Sequence, residues 1–246
     1  MMWADNAFSY APMSHIKSKI RPVKALSPKL ASAYEQRLFR AAADLNAVAL
    51  EHILQTCPGS GALVDHCDIL SRVARGGSSA CVSILMPHSS AAKCSRSLSS
   101  AAASGSQECL ALLLSHPDID KGQLWGGDVS EAICSAIRYN HNYCIEMLAP
   151  LIDAPDLCEY MEKPLLLAVV LDQDDSCFNA ILAFCHAGAL SSVLASVEAH
   201  PHGHFIEARR SFIEAIRSRL SIQVERAAIA DSSADGFSGA SRSLRI

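Results

Sequence analysis

The stretch that decides the fold is "SLSSAAASGSQECLALLLSHPDID", Ser97 to Asp120. Small residues lead to a glycine, an apolar run follows, and His-Pro-Asp stops it. Alanine and leucine favour helix. Glycine supplies the backbone freedom a reversal needs, and proline ends what precedes it. The stretch therefore reads as two helices joined by a tight turn.

The pattern recurs. Leu98 precedes "SSAAASG", and "CLALLL" follows. Upstream, Leu70 precedes "SRVARGG" and Leu38 precedes "FRAAADL"; downstream, Ile133 precedes "CSAIRYN" and Leu165 precedes "LLAVVLD". The anchors are 32, 28, 35 and 32 residues apart. A period near 33 residues marks a protein built of stacked repeats. The small pairs Ala41-Ala42, Val73-Ala74, Ala101-Ala102, Ala136-Ile137 and Ala168-Val169 line a short first helix. Gly77 and Gly105 fall where the chain reverses, and Leu45, Asn140 and Asp172 stand at the same place. Asparagine best tolerates the left-handed conformation expected there. The second helix ends on Ile53-Leu54, Ile84-Leu85, Leu113-Leu114, Met147-Leu148 and Ile181-Leu182. Helix pairs are expected near 38–56, 70–86, 98–115, 131–149 and 164–187. The spacing of 28 implies a shortened connection between the second and third units. "LDQDDS" implies an insertion of one or two residues in the fifth.

From Gln36 to Ala189 the chain resembles the ankyrin-repeat family. "KPLLLAV" at Lys163 to Val169 keeps a Pro-Leu and an Ala. The opening stretch keeps the Ala-Ala, the Gly, the Leu-Leu and a Pro-Asp-Ile-Asp ending. No unit has the full Thr-Pro-Leu-His of the family, so the array is divergent. The resemblance implies an all-α, helix-pair repeat solenoid whose partners sit on hairpin tips and in a concave groove. The groove positions it implies are Ala43-Asp44, Arg75-Gly76, Ala103-Ser104, Arg138-Tyr139 and Val170-Leu171. Arg75, Arg138 and Tyr139 are residue types enriched in binding hot spots. Trp125, with Asp118, Asp120 and Asp128 around it, sits on the loop that the resemblance makes a tip.

The segments read as a basic flexible arm (1–34), five repeats (35–189), a capping helix pair (190–230) and a flexible tail (231–246). Asn6 to Tyr34 holds five lysines and arginines and no acid. A divergent array behind such an arm resembles bacterial effectors delivered into host cells. In "FIEARRSFIEAIRSRLSIQVERAAIA" the apolar residues follow helical spacing and charged residues cover most of the rest, as the end of a stack requires.

Composition narrows the chemistry. Half of the 246 residues are hydrophobic but only 6% aromatic, and the net charge is -4. That balance argues against bulk nucleic-acid binding, which needs many phosphate-neutralising cations. No apolar run is long enough to cross a membrane. The ten cysteines contain no C-x-x-C, and most lie in helical apolar runs. They read as reduced core residues of a cytoplasmic protein. His200, His202 and His204 in "HPHGH" have the residue type for zinc or nickel but read as a polar loop. "DQDDS" lacks the glycine and glutamate of a calcium loop. No phosphate-binding, dinucleotide-binding or nucleophile-elbow motif occurs. The expected function is a non-enzymatic, monomeric protein-binding scaffold without cofactor. The rival is an enzyme with a Cys/His site, for which Cys185-His186 is the nearest pairing.

Overall fold

The structure, a computed structural model, describes residues 28–57, 59–117, 119, 126–152, 159–171, 176–199 and 210–239. Among them are thirteen α-helices, two 3₁₀ turns and no strand. The helices are α1 (Pro28–Ala43), α2 (Ala47–Thr56), α3 (Ser60–His66), α4 (Ile69–Arg75), α5 (Ser79–Leu85), α6 (Ala91–Ser104) and α7 (Gln107–Leu114). They continue with α8 (Gly126–Arg138), α9 (Asn142–Leu148), α10 (Glu159–Leu171), α11 (Ser176–Leu182), α12 (Ala187–Ala199) and α13 (Arg210–Gly239).

Each pair is closed by the same turn. The residue seven positions after the anchor is left-handed: Leu45 at φ 50, Gly77 at 71, Gly105 at 72 and Asn140 at 57. In the first three units the side chain of the next residue caps the second helix, whereas His141 of the fourth makes no such bond. Asn46 accepts from the Ala49 amide at 2.9 Å, Ser78 from Cys81 at 3.4 Å and Ser106 from Cys109 at 3.2 Å. Such caps satisfy an amide the helix start leaves unpaired. Asp172, the fifth such position, lies outside the described residues.

Successive first helices touch in the order α1, α4, α6, α8, α10 and α12, and second helices in the order α2, α5, α7, α9 and α11. The small pairs sit between the first helices. Ala42, Ala74, Ala101, Ala102, Ala136 and Ala168 are all fully buried. Without long side chains, neighbouring helices approach closely and pack at crystal-like density. Leu50, Val82, Leu110, Ile145 and Phe178 fill the equivalent place in the second helices, each at most 1% exposed.

Polar groups tie the units together. Ser71 and Ser97 hydroxyls meet at 3.0 Å, Ser95 donates to Asp128 at 2.5 Å, and His116 Nε2 lies 3.1 Å from the Ser89 carbonyl. The Cys177 thiol donates to Asn140 Oδ1 at 3.2 Å. At the end, α13 packs on α12. Arg217 reaches Glu198 at 2.6 Å, Arg219 the Ala183 carbonyl at 2.9 Å, and Gln223 the Cys185 carbonyl at 2.7 Å.

Several expectations need correcting. Four of the five first helices are not short: α1, α6, α8 and α10 run 13 to 16 residues and begin well upstream of their anchors, whereas α4 spans seven. Helix α1 starts at Pro28, inside the segment read as an arm. Proline suits the first helical position, where its missing N–H costs nothing. Pro164, read as a helix start, lies inside α10. Helix α13 runs to Gly239, into the segment read as a tail. Helix α3 had no counterpart in the repeat reading. It precedes α4 in the chain as the upstream turns of α6, α8 and α10 precede their anchors, and its Asp65 accepts from the Ser90 amide at 2.8 Å. The shortened connection is real: Met86–His88 and two residues join α5 to α6.

Gly105 tests the turn. A Cβ there would lie 2.7 Å from the His141 ring, and the backbone is left-handed. Gly105→Ala should cost at least about 1 kcal/mol in urea unfolding. Gly127→Ala, which meets nothing, should be neutral or stabilising by about 0.5 kcal/mol. Ala102→Glu should be severe, because it buries a charge between first helices.

Candidate functional site

The exposed side of the first helices holds the described candidates. Arg75 ends α4 and lines an open cleft of about 350 Å³ with Phe39, Asp68, Ser71, Arg72 and Ser100. The cleft spans α1, α4 and α6. The Arg72 guanidinium carbon stands 5.7 Å from the centre of the Phe39 ring. That cation–π contact holds a charged group over a half-exposed aromatic face.

Arg138 ends α8, two units on. It lies 3.5 Å from Glu131, which also accepts from Lys163 of α10 at 2.7 Å. The hydrogen bond from Lys163 holds the Glu131 carboxyl below its ordinary value, with Lys163 and Arg138 charges adding to it, and raises Lys163. Tyr139 is 56% exposed. Its ring stacks on His141 at 6.5 Å and an interplanar angle of 20°. His141 in turn covers Gly105.

Arg75 and Arg138 occupy the same register on helices separated by α6. With helix axes roughly 8–10 Å apart, they share a face without touching. Two groove positions serve other purposes. The Ser104 hydroxyl lies 3.0 Å from the Ala74 carbonyl and 2.7 Å from that of Ala101, so it fastens α6 to α4. Gly76 lies under the Leu45 side chain. Asp128, expected beside the loop, is engaged by Ser95. Trp125, Asp118 and Asp120 lie outside the described residues, as do His200, His202 and His204. Among the described residues no group of three His, Cys, Asp or Glu side chains could hold a metal ion. No helix described is long and apolar enough to cross a membrane.

Phe39 and Arg72 belong to no motif of the sequence. The signal was there: they follow the Leu38 and Leu70 anchors by one and two positions, on the side of the helix away from the small pair.

A second open cleft, of about 310 Å³, lies on the other row between Glu51, Leu54, Gln55, Ser83, Ile84, Pro87 and His88. Burial holds His88 below the ordinary imidazole value. The cysteines are a different matter. Cys81, Cys109, Cys144 and Cys177 occupy one register in successive second helices, and all four are buried. Burial pushes Cys94 up to about 12 and Cys134 and Cys144 up to about 11, and also raises Cys109. Such thiols stay protonated, the opposite of an activated nucleophile.

No family model, curated protein or solved structure matches the chain. The ankyrin resemblance therefore rests on the residues themselves.

Two measurements check this chemistry. Cys109, Cys134 and Cys144 should resist alkylation in the native protein and react after denaturation; rapid native labelling of all three would contradict their burial. Glu131, followed by NMR titration, should ionise below the ordinary carboxylate range. Its folded value is depressed, so the stability it adds is complete above the unfolded value. That stability fades as the pH falls through the folded one. Lys163→Met should move the titration back up.

Proposed function

We propose that this chain is a non-enzymatic scaffold, an ankyrin-like array of five helix pairs that binds a partner protein on the exposed face of its first helices. The observation that carries the reading is the turn. Leu45, Gly77, Gly105 and Asn140 repeat the anchor spacing of 32, 28 and 35, each with the same left-handed backbone. A unit that repeats in both sequence and backbone, stacked in order along two rows, is how such arrays bury a core. The closing pair α12 and α13 takes the place of a cap.

The array departs from the family in one respect. Where family members place a hairpin before each first helix, the described chain carries extra helical turns or α3. Binding is then expected on the helix face itself, with Arg75, Arg138 and Tyr139 as anchors. Both clefts are open, and the buried thiols are raised, which favours a binding surface over a Cys/His catalyst. The basic stretch before α1, outside the described residues, is what makes delivery as an effector part of the proposal.

Photo-crosslinking tests the face. A benzophenone side chain at Tyr139 should capture a partner in cells, whereas one at Val48, 78% exposed on α2, should not. Capture from Val48 alone would overturn the reading. For the captured partner, Arg138→Ala with Tyr139→Ala should cost about 2 kcal/mol of binding or more. Stability should shift by about 0.5 kcal/mol or less, because the Arg138–Glu131 pair is solvent-exposed.

A further inference from the structure

Charge on the array is sorted by row and by end. The first helices α1, α4 and α6 expose Arg40, Arg72, Arg75 and Arg96, whereas α2, α5 and α7 carry Glu51 and Glu108 and no lysine or arginine. None of the four arginines is in an ion pair among the described residues. Further along the same face, α8 and α10 turn acidic with Asp128, Glu131 and Glu162, offset by Arg138 and Lys163.

Two of the four arginines line one cleft, and the other two sit beside its walls along their helices. Arg72 and Arg75 line the cleft. Arg40 occupies the register of Arg72 on the neighbouring helix and adjoins Phe39, another wall. Arg96 lies one helical turn from Ser100, a third wall, and residues four apart share a helix face. The carboxylate in the cleft is Asp68. Asp44 lies past the end of α1, and Glu35 acts on Cys67.

We infer that this arginine cleft takes a short, extended acidic segment of a partner protein, with carboxylates at every third residue and an apolar side chain against Phe39. The inference rests on the scaffold reading and gives its partner a chemistry. A polyproline-II segment advances about 9 Å in three residues. That matches the roughly 8–10 Å between packed helices, so successive carboxylates meet arginines of α1, α4 and α6. Guanidinium groups pair with carboxylates bidentately. The cleft is open and can admit a segment from outside. A long polyanion such as nucleic acid fits poorly, because the same face becomes acidic at α8.

Fluorescence anisotropy with the full chain tests this. The probes are labelled peptides repeating Glu-Pro-Leu, the matched Gln-Pro-Leu peptide, and oligothymidylate as competitor. The glutamate peptide should bind in preference to the glutamine one and weaken with salt. Arg72→Glu with Arg75→Glu should weaken it by about tenfold or more at unchanged melting temperature. If that pair fails to fold, Arg40→Gln and Arg96→Gln, both on exposed residues, serve instead. Equal binding or no binding of the two peptides overturns the acidic occupant, as does binding indifferent to the arginines. Competition by oligothymidylate as strong as by peptide overturns it in favour of nucleic acid. In each case crosslinking from Tyr139 still decides the scaffold reading separately: capture there leaves the scaffold standing and removes only the partner's chemistry.

Discussion

The rest of the structure depends on how a first helix is made to reverse. A left-handed residue turns the chain, and in the first three units the side chain after it caps the second helix. Only then can the small face of the first helix and the apolar end of the second point to the same neighbours. Glycine meets the condition without strain at Gly77 and Gly105. Asn140 meets it with a side chain that also receives the Cys177 thiol. Leu45 meets it against its own preference, a cost of roughly 1–2 kcal/mol. Its side chain lies over Gly76, where no Cβ could fit, and that packing offsets the strain.

The close approach of the first helices has a second consequence. With alanine at the contacts, helix backbones carry the packing and long side chains are left to the outer face. Arg72 can then lie over Phe39 of the adjacent helix, and Lys163 can reach Glu131 across a unit boundary. Serine does at these contacts what a larger polar residue could not. Ser71, Ser95, Ser97 and Ser104 each bridge neighbouring helices over distances of 2.5 to 3.0 Å. The serine-rich composition is thus part of the stacking, and not only a mark of solvent exposure.

The sorting of charge follows from the two rows. The second helices are short and mostly apolar, so the long side chains gather on the first. Arginine on α1, α4 and α6 and carboxylates on α8 and α10 make one face with two chemistries. The cysteine register inside the second helices has no such role. Burial raises Cys109 and Cys144, and the buried register acts as small apolar groups beside Leu110, Ile145 and Phe178.

The sequence by itself determined the helix pairs, their order and the turn that joins them. These depend on residues within about a dozen positions of one another: a small pair, a residue suited to the left-handed region, a cap and an apolar ending. The tertiary structure alone decided where each first helix begins, because that depends on what lies alongside. Pro164 reads as a helix start yet sits inside α10, and Pro28 opens α1 within a segment that composition makes an arm. It also decided which expected contact residues are open. Arg75, Arg138 and Tyr139 remain on the surface, whereas Ser104, Gly76 and Asp128 are taken up by neighbouring units. The cleft was legible only in part, since Phe39, Arg72 and Arg75 are brought together by α1 packing on α4. No local spacing encodes that contact between residues more than thirty positions apart.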